Sequence, residues 1–156
     1  MSSSTQQAAA TLPGSQVQGL LGRWLEERRD LTGRMCELAG AIGGTHNGRK
    51  SLTPQPALDR FCELLVDYVS AGHFEVFREL LDQHALRGTE AEALALYDLI
   101  IPSTEAALDF NDRYFRGGSA LMLEQDLARL GRVLASRFDC EDALIRCLGA
   151  TSRHHA

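Results

Sequence analysis

The sequence predicts an all-α fold: an antiparallel helical bundle with a four-helix core and a middle helix that is kinked or split. Three observations carry this expectation. Apolar residues recur at alternating steps of four and three along successive segments, the spacing that gathers side chains on one helix face. No convincing period-two run bounded by hairpin turns occurs. The connections between the helical segments are short, as in bundles of neighbouring helices.

The first element is announced at Val17. Val17, Leu21, Trp24, Arg28, Leu31, Met35, Leu38 and Ile42 form a heptad-like stripe that contains a single charge. Three glycines within Gly43–Gly48, followed by Pro54 and Pro56, read as a loop. Thr53 with Pro54 and Pro56 marks a helix start, after which Leu58, Phe61, Leu65 and Tyr68 share a face. Gly72 interrupts this pattern and is expected to kink or break it, with Phe74, Phe77, Leu80 and Leu81 on the second part. Gly88 ends that part. Thr89 is a candidate N-cap for a further helix, with a stripe of Leu94, Tyr97, Ile101, Thr104, Leu108 and Phe115 that Pro102 should bend or split. After Gly117-Gly118, the final helix is signalled from Ser119 by Leu123, Leu127, Leu130, Leu134, Phe138, Glu141, Ile145 and Leu148.

A chain of 156 residues matches one domain, large enough to bury a core without staples. We expect a disordered tail over 1–15, the bundle over 16–150 and a frayed end over 151–156. The tail is Ser, Gln and Ala without the basic and apolar regions of a signal peptide. No apolar run approaches the ~20 residues of a membrane helix, so the expectation is a soluble, cytoplasmic protein. Cys36, Cys62, Cys140 and Cys147 lie far apart, without CxxC pairing, and read as reduced and mostly buried thiols.

Acidic residues outnumber basic ones, 21 to 16, and Lys50 is the single lysine. That balance argues against direct nucleic-acid binding, which rests on Lys and Arg displacing counterions. It suits a basic protein partner better.

The charges on the two long stripes are the most informative physical feature. Arg28 and Glu141 each have apolar neighbours three and four residues away. A buried charge requires a partner, so contact between the first and last helices would pair these two, with Asp67 as a third member of a buried polar network. The competing reading is that both side chains snorkel from the stripe's edge to water.

Enzymatic signatures are missing from the sequence. None of His46, His73, His84, His154 and His155 follows a glutamate by three residues, the spacing used by carboxylate-bridged metal bundles. No G-x-S-x-G elbow, phosphate-binding loop or dinucleotide fingerprint occurs, and Cys62 sits at helical spacing in an apolar segment. No catalytic residue, metal or cofactor is expected.

Three motifs carry a family resemblance. Arg23-Trp24-Leu25 with Arg28 lies in the first helix, and Phe61-Cys62-Glu63-Leu64-Leu65-Val66-Asp67-Tyr68-Val69-Ser70-Ala71-Gly72-His73-Phe74 in the second. Arg137-Phe138, Glu141-Asp142 and Leu144-Ile145 lie near the C-terminus. Together they resemble the Rsd/AlgQ family, regulators of the primary sigma factor of bacterial RNA polymerase, over roughly residues 20–148. The central run is the specific one, because its near-fixed positions include polar ones. The segment before Val17 and the glycine-rich loop depart from the family pattern.

The resemblance implies an all-helical bundle that binds the primary sigma factor one to one. The main contact would be the C-terminal promoter-recognition domain, and binding would limit sigma's association with core polymerase. It also implies a partner-binding patch of Asp67, Tyr68, Ser70, His73 and Phe74, presented by a kink at Gly72, with Arg23 and Trp24 as further contacts. Each has a structural alternative: Tyr68, Phe74 and Trp24 as core, His73 as a local cap. A regulator of another protein partner, such as a metabolic or signalling enzyme, is the next reading, and a small-molecule or metal-binding bundle follows it.

Overall fold

The structure, a computed structural model, describes residues 14–43, 45–46, 49–50, 55–71, 75–118 and 120–154. Most of the expected tail, the Gly72 kink, His73 and Phe74 lie outside them, as do the side chains of His46, Lys50, Cys147, Leu148, His154 and His155. The elements are α1 (Ser15–Gly43), β1 (Thr45–His46), β2 (Arg49–Lys50), α2 (Gln55–Ala71), α3 (Phe77–Arg87), α4 (Glu90–Tyr114), a 3-10 turn (Ala120–Met122) and α5 (Leu123–His154).

Packing follows a ring. α1 lies on α2, α2 on α4, α4 on α5, and α5 closes on α1, while the short α3 leans on α4 and α5. Neighbours run antiparallel. Trp24 of α1 stacks on Tyr68 of α2, Phe61 of α2 meets Phe110 of α4, and Tyr114 and Ser103 of α4 bond to Asp126 and Arg137 of α5. In every pair, later residues of one helix meet earlier residues of the other. The fold is the helical bundle expected from the stripes, with its middle pattern divided between α2 and α3.

The stripe on α1 is the one read from the sequence. Val17, Leu21, Trp24, Leu31, Leu38 and Ile42 are buried and Met35 packs against them. On α2, Leu58, Phe61, Leu65 and Tyr68 are joined by Cys62 and Val69. Among the described side chains three cysteines are free, Cys62 in the core, Cys140 half-buried and Cys36 exposed, so burial does not extend to all of them. Desolvation pushes the Cys62 thiol up to about 12, and it behaves as a small apolar group.

Four local features differ from expectation. The loop after α1 contains a two-residue antiparallel ladder pairing Thr45 with Lys50 and His46 with Arg49; the intervening Asn47-Gly48 is a hairpin dipeptide in sequence terms. Thr89 precedes α4 but makes no side-chain cap, its hydroxyl being used by His84. Pro102 does not split α4, which runs unbroken from Glu90 to Tyr114. Finally, the stripe on α4 is out of phase. Leu94, Ile101 and Leu108 are exposed, and the inward face is Ala93, Ile100, Ser103, Ala107, Phe110 and Tyr114. Apolar residues surround this helix, and small ones take the close contacts, so size misleads about its phase.

Two glycine positions end helices as read. Gly88 adopts the left-handed conformation (φ 76°) with its N–H bonded to the Ala85 carbonyl, and α3 stops there. Between α4 and α5, Arg116, Gly117 and Gly118 all have positive φ, and a Cβ at Gly118 would collide with the Arg113 carbonyl oxygen. The Arg116 N–H donates to Asp59 Oδ1 at 2.7 Å, tying this turn to the start of α2.

Candidate partner-binding site

The three sequence motifs meet at one buried cluster. Arg28 donates through Nη2 to Glu141 Oε1 (2.9 Å), through Nη1 to Asp142 Oδ1 (2.7 Å) and through Nε to the Tyr68 hydroxyl (3.2 Å). The Tyr68 hydroxyl in turn donates to Glu141 Oε1 at 2.6 Å. Arg137, fully buried, donates through Nε to Glu141 Oε2 (2.9 Å) and through Nη1 to the hydroxyls of Ser103 (3.1 Å) and Thr104 (2.7 Å). The cluster links α1, α2, α4 and α5.

Aromatic rings enclose it. Trp24 stacks on Tyr68 with ring planes 6° apart, and Phe77 meets Trp24 edge-on. The Arg28 guanidinium lies over the Phe138 ring at 4.8 Å, and that of Arg137 over Phe77 at 5.5 Å. Burial pushes the Glu141 carboxyl above its usual range, against the opposing pull of Arg137, Tyr68 and Arg28. The Tyr68 hydroxyl is held as a donor, since desolvation and the Glu141 charge push its ionisation far upward. This chemistry is structural: opposite charges are paired across four helices, with Arg137 Nη2 the one guanidinium nitrogen of the cluster left buried without a partner, and the pairing favours one register of the four helices.

The residues expected at the partner surface separate into two groups. Trp24 and Tyr68 are buried to 1% exposure and belong to the core cluster. Arg23 and Asp67 are exposed and Ser70 is half-buried. His73 and Phe74 lie outside the described residues. Asp67, expected beside Arg28 and Glu141, is exposed and bonds to neither; the network's further members are Tyr68, Arg137 and Asp142. Arg137 carried a signal that went unread, because it stands four residues before Glu141 and beside Phe138 on the same stripe.

Around Asp67 the surface is acidic. The Glu27 carboxyl is raised, first by partial burial and then by the charges of Asp67 and Glu75, with Arg23 opposing and Asp30 adding. Glu27, Asp30, Asp67 and Glu75 are all exposed, so α1, α2 and the approach to α3 present carboxylates to solvent beside Arg23.

Elsewhere, His84 is buried between α3 and α5, its Nε2–H donating to the Leu144 carbonyl at 3.0 Å and its Nδ1 facing the Thr89 hydroxyl at 2.7 Å. Asp126 accepts from the Tyr114 hydroxyl (2.5 Å) and pairs with Arg113; these bonds hold its carboxyl below the ordinary range. Among the described residues there is no grouping of His, Cys, Asp or Glu able to hold a metal ion. None of the described helices is long and apolar enough to cross a membrane.

Fold and cluster together define a helical-bundle protein whose shared motifs build a buried electrostatic centre and whose flank is acidic. The family model described as regulator of RNA polymerase sigma(70) subunit, Rsd/AlgQ, matches residues 1–149, and the chain belongs to this family. Among curated relatives, a protein named regulator of sigma D from Salmonella paratyphi B is 32% identical over 130 residues, covering 81% of this chain and 79% of the relative. One of the same name from Yersinia enterocolitica is 30% identical over 135 residues, covering 81% and 78%. No solved structure gives a significant match.

Proposed function

We propose that this protein binds the primary, sigma-70 class sigma factor one to one in the cytoplasm, and that it thereby limits sigma's association with core RNA polymerase. It acts by occupancy rather than catalysis. The observation that carries the reading is the exposed acidic face formed by Glu27, Asp30, Asp67 and Glu75 directly outside the motif cluster. The main contact is sigma's C-terminal promoter-recognition domain, a helix-turn-helix module whose DNA-facing surface is basic, and carboxylates cover such a surface as phosphates do. Trp24 and Tyr68 contribute by holding α1 against α2, so that Arg23, Asp67 and Ser70 are presented in fixed positions.

Titration calorimetry of the protein against its cognate sigma factor, and against the isolated C-terminal domain, tests this. Saturable one-to-one binding to both is the expected result. Reversing two charges on the face, Asp67→Lys with Glu75→Lys, should weaken the complex by roughly tenfold or more while helicity and melting stay intact. Absence of binding to either sigma preparation would overturn the reading in favour of another protein partner.

A further inference from the structure

On the outward side of α4, Leu94, Asp98, Ile101, Glu105, Leu108 and Asp112 follow one another at steps of four, three, four, three and four. They form a single seam along the helix, about 27 Å long at 1.5 Å per residue. Every one is exposed, the three aliphatics at 43%, 37% and 41%. Isolated exposed aliphatics are ordinary, but three in register, each followed one turn later by a carboxylate, make an organised surface. The inward residues Ile100, Ser103, Ala107, Phe110 and Tyr114 occupy the opposite side of the helix, so the seam has no part in the bundle core.

Charge and backbone chemistry narrow what covers this seam. α4 carries six carboxylates and one base, Arg113, which is already paired with Asp126. Pro102 lies beside the seam. It has no N–H, so the carbonyl of Asp98 lacks its usual helical donor and remains an acceptor on the outer face. A second copy of this chain would bring Asp98, Glu105 and Asp112 against their own like charges, and nucleic acid or an anionic lipid surface would meet the same repulsion.

We propose that the outward face of α4 is a docking surface for a basic amphipathic helix of a partner protein. Its leucine-like side chains pack between Leu94, Ile101 and Leu108, and its Lys or Arg residues reach Asp98, Glu105, Asp112 and the free Asp98 carbonyl. This surface is distinct from the acidic face near Asp67: α4 packs against α2, α3 and α5 and lies across the ring from α1, and none of the seam residues is buried by these contacts. The inference does not depend on the identity of the partner at that other face.

The test uses a fluorescent synthetic peptide of about three heptads, with leucines on one stripe and lysines beside them, and an otherwise identical peptide with glutamate in place of lysine. Anisotropy titration of the full chain should show binding of the basic peptide only. Ile101→Ser, which keeps the charges, and Glu105→Lys, which keeps the apolar row, should each weaken it by roughly tenfold or more, with the circular dichroism unchanged. Asp67→Lys makes the same change in net charge on the other face and should leave the affinity unaltered. Equal loss with Asp67→Lys, full binding by Ile101→Ser, or no binding of the basic peptide at all would overturn the proposal. So would light scattering that finds a dimer abolished by Ile101→Ser, since the seam would then be covered by a second copy.

Discussion

Arg137 has no exposed surface of its own and its guanidinium is held by Glu141, Ser103 and Thr104. Breaking a buried pair typically costs about 3–5 kcal/mol, and although Glu141 keeps Arg28 and Tyr68 when Arg137 is removed, its Oε2 loses its partner. Arg137→Met should therefore lower the melting temperature sharply. The double variant Arg137→Met with Glu141→Leu should lose less than Glu141→Leu alone, because Arg137 is then no longer a buried charge without a counter-charge, while Arg28 keeps Asp142; a calorimetric double-mutant cycle measures the difference. His84 supplies a pH dependence. Burial lowers its pKa below the ordinary 6.5, so the folded protein keeps it neutral while the unfolded chain takes up a proton more readily. Stability from this site is full above pH 6.5 and falls as the pH drops below it towards the lowered folded value. In thermal melts between pH 7 and pH 5, His84→Gln should flatten that slope, since glutamine retains an N–H for the Leu144 carbonyl.

At the scale of elements, what the sequence disclosed depended on how narrow each apolar stripe is. α1 and α2 carry large residues on one side and charges on the other, and their inward faces were legible residue by residue. α4 is apolar around most of its circumference, and its contacts with α2 and α5 are made by alanines and a serine as well as by Ile100 and Phe110. Residue size therefore pointed to the wrong side. Pro102 was expected to bend or split this helix, yet it sits on the exposed face, where the ring meets solvent and one helical bond is lost. Pro102→Ala should restore that bond and stabilise the fold by about 1–3 kcal/mol, visible as a raised melting temperature. The opposite effect is expected at Gly118, whose backbone and close approach to the Arg113 carbonyl exclude a side chain; Gly118→Ala should open the α4–α5 turn and lower the melting temperature.

For the molecule as a whole, the fold class followed from the spacing of apolar residues, and the rule that a charge within an apolar stripe needs a counter-charge pointed to Glu141 as a partner for Arg28, which it contacts at 2.9 Å. The third member did not follow. Tyr68 reads in sequence as one more apolar position, and only its hydroxyl, placed between Arg28 and Glu141 by the stacking of its ring on Trp24, reveals its role. The same placement explains why the described part of the signature run mixes core and exposed residues: Leu65, Tyr68 and Val69 are held in the bundle, while Glu63 and Asp67 face outward. If the acidic face near Asp67 meets a basic sigma surface, the complex should weaken steeply as salt rises from low to physiological strength, with the loss falling mostly on the association rate. Stopped-flow association at two or three ionic strengths checks this, and a salt-independent rate would count against charge steering.

The pairing of Arg28 with Glu141 and Asp142 joins residues 113 and 114 positions apart in the chain. During synthesis, therefore, the first helix leaves the ribosome long before its counter-charges exist. Until α5 emerges, Arg28 has to stay hydrated, and α1 and α2 have little reason to close over it. Ribosome-bound chains arrested before Glu141 should accordingly remain open to proteases, and the acidic face should reach its working geometry only on chains translated through α5.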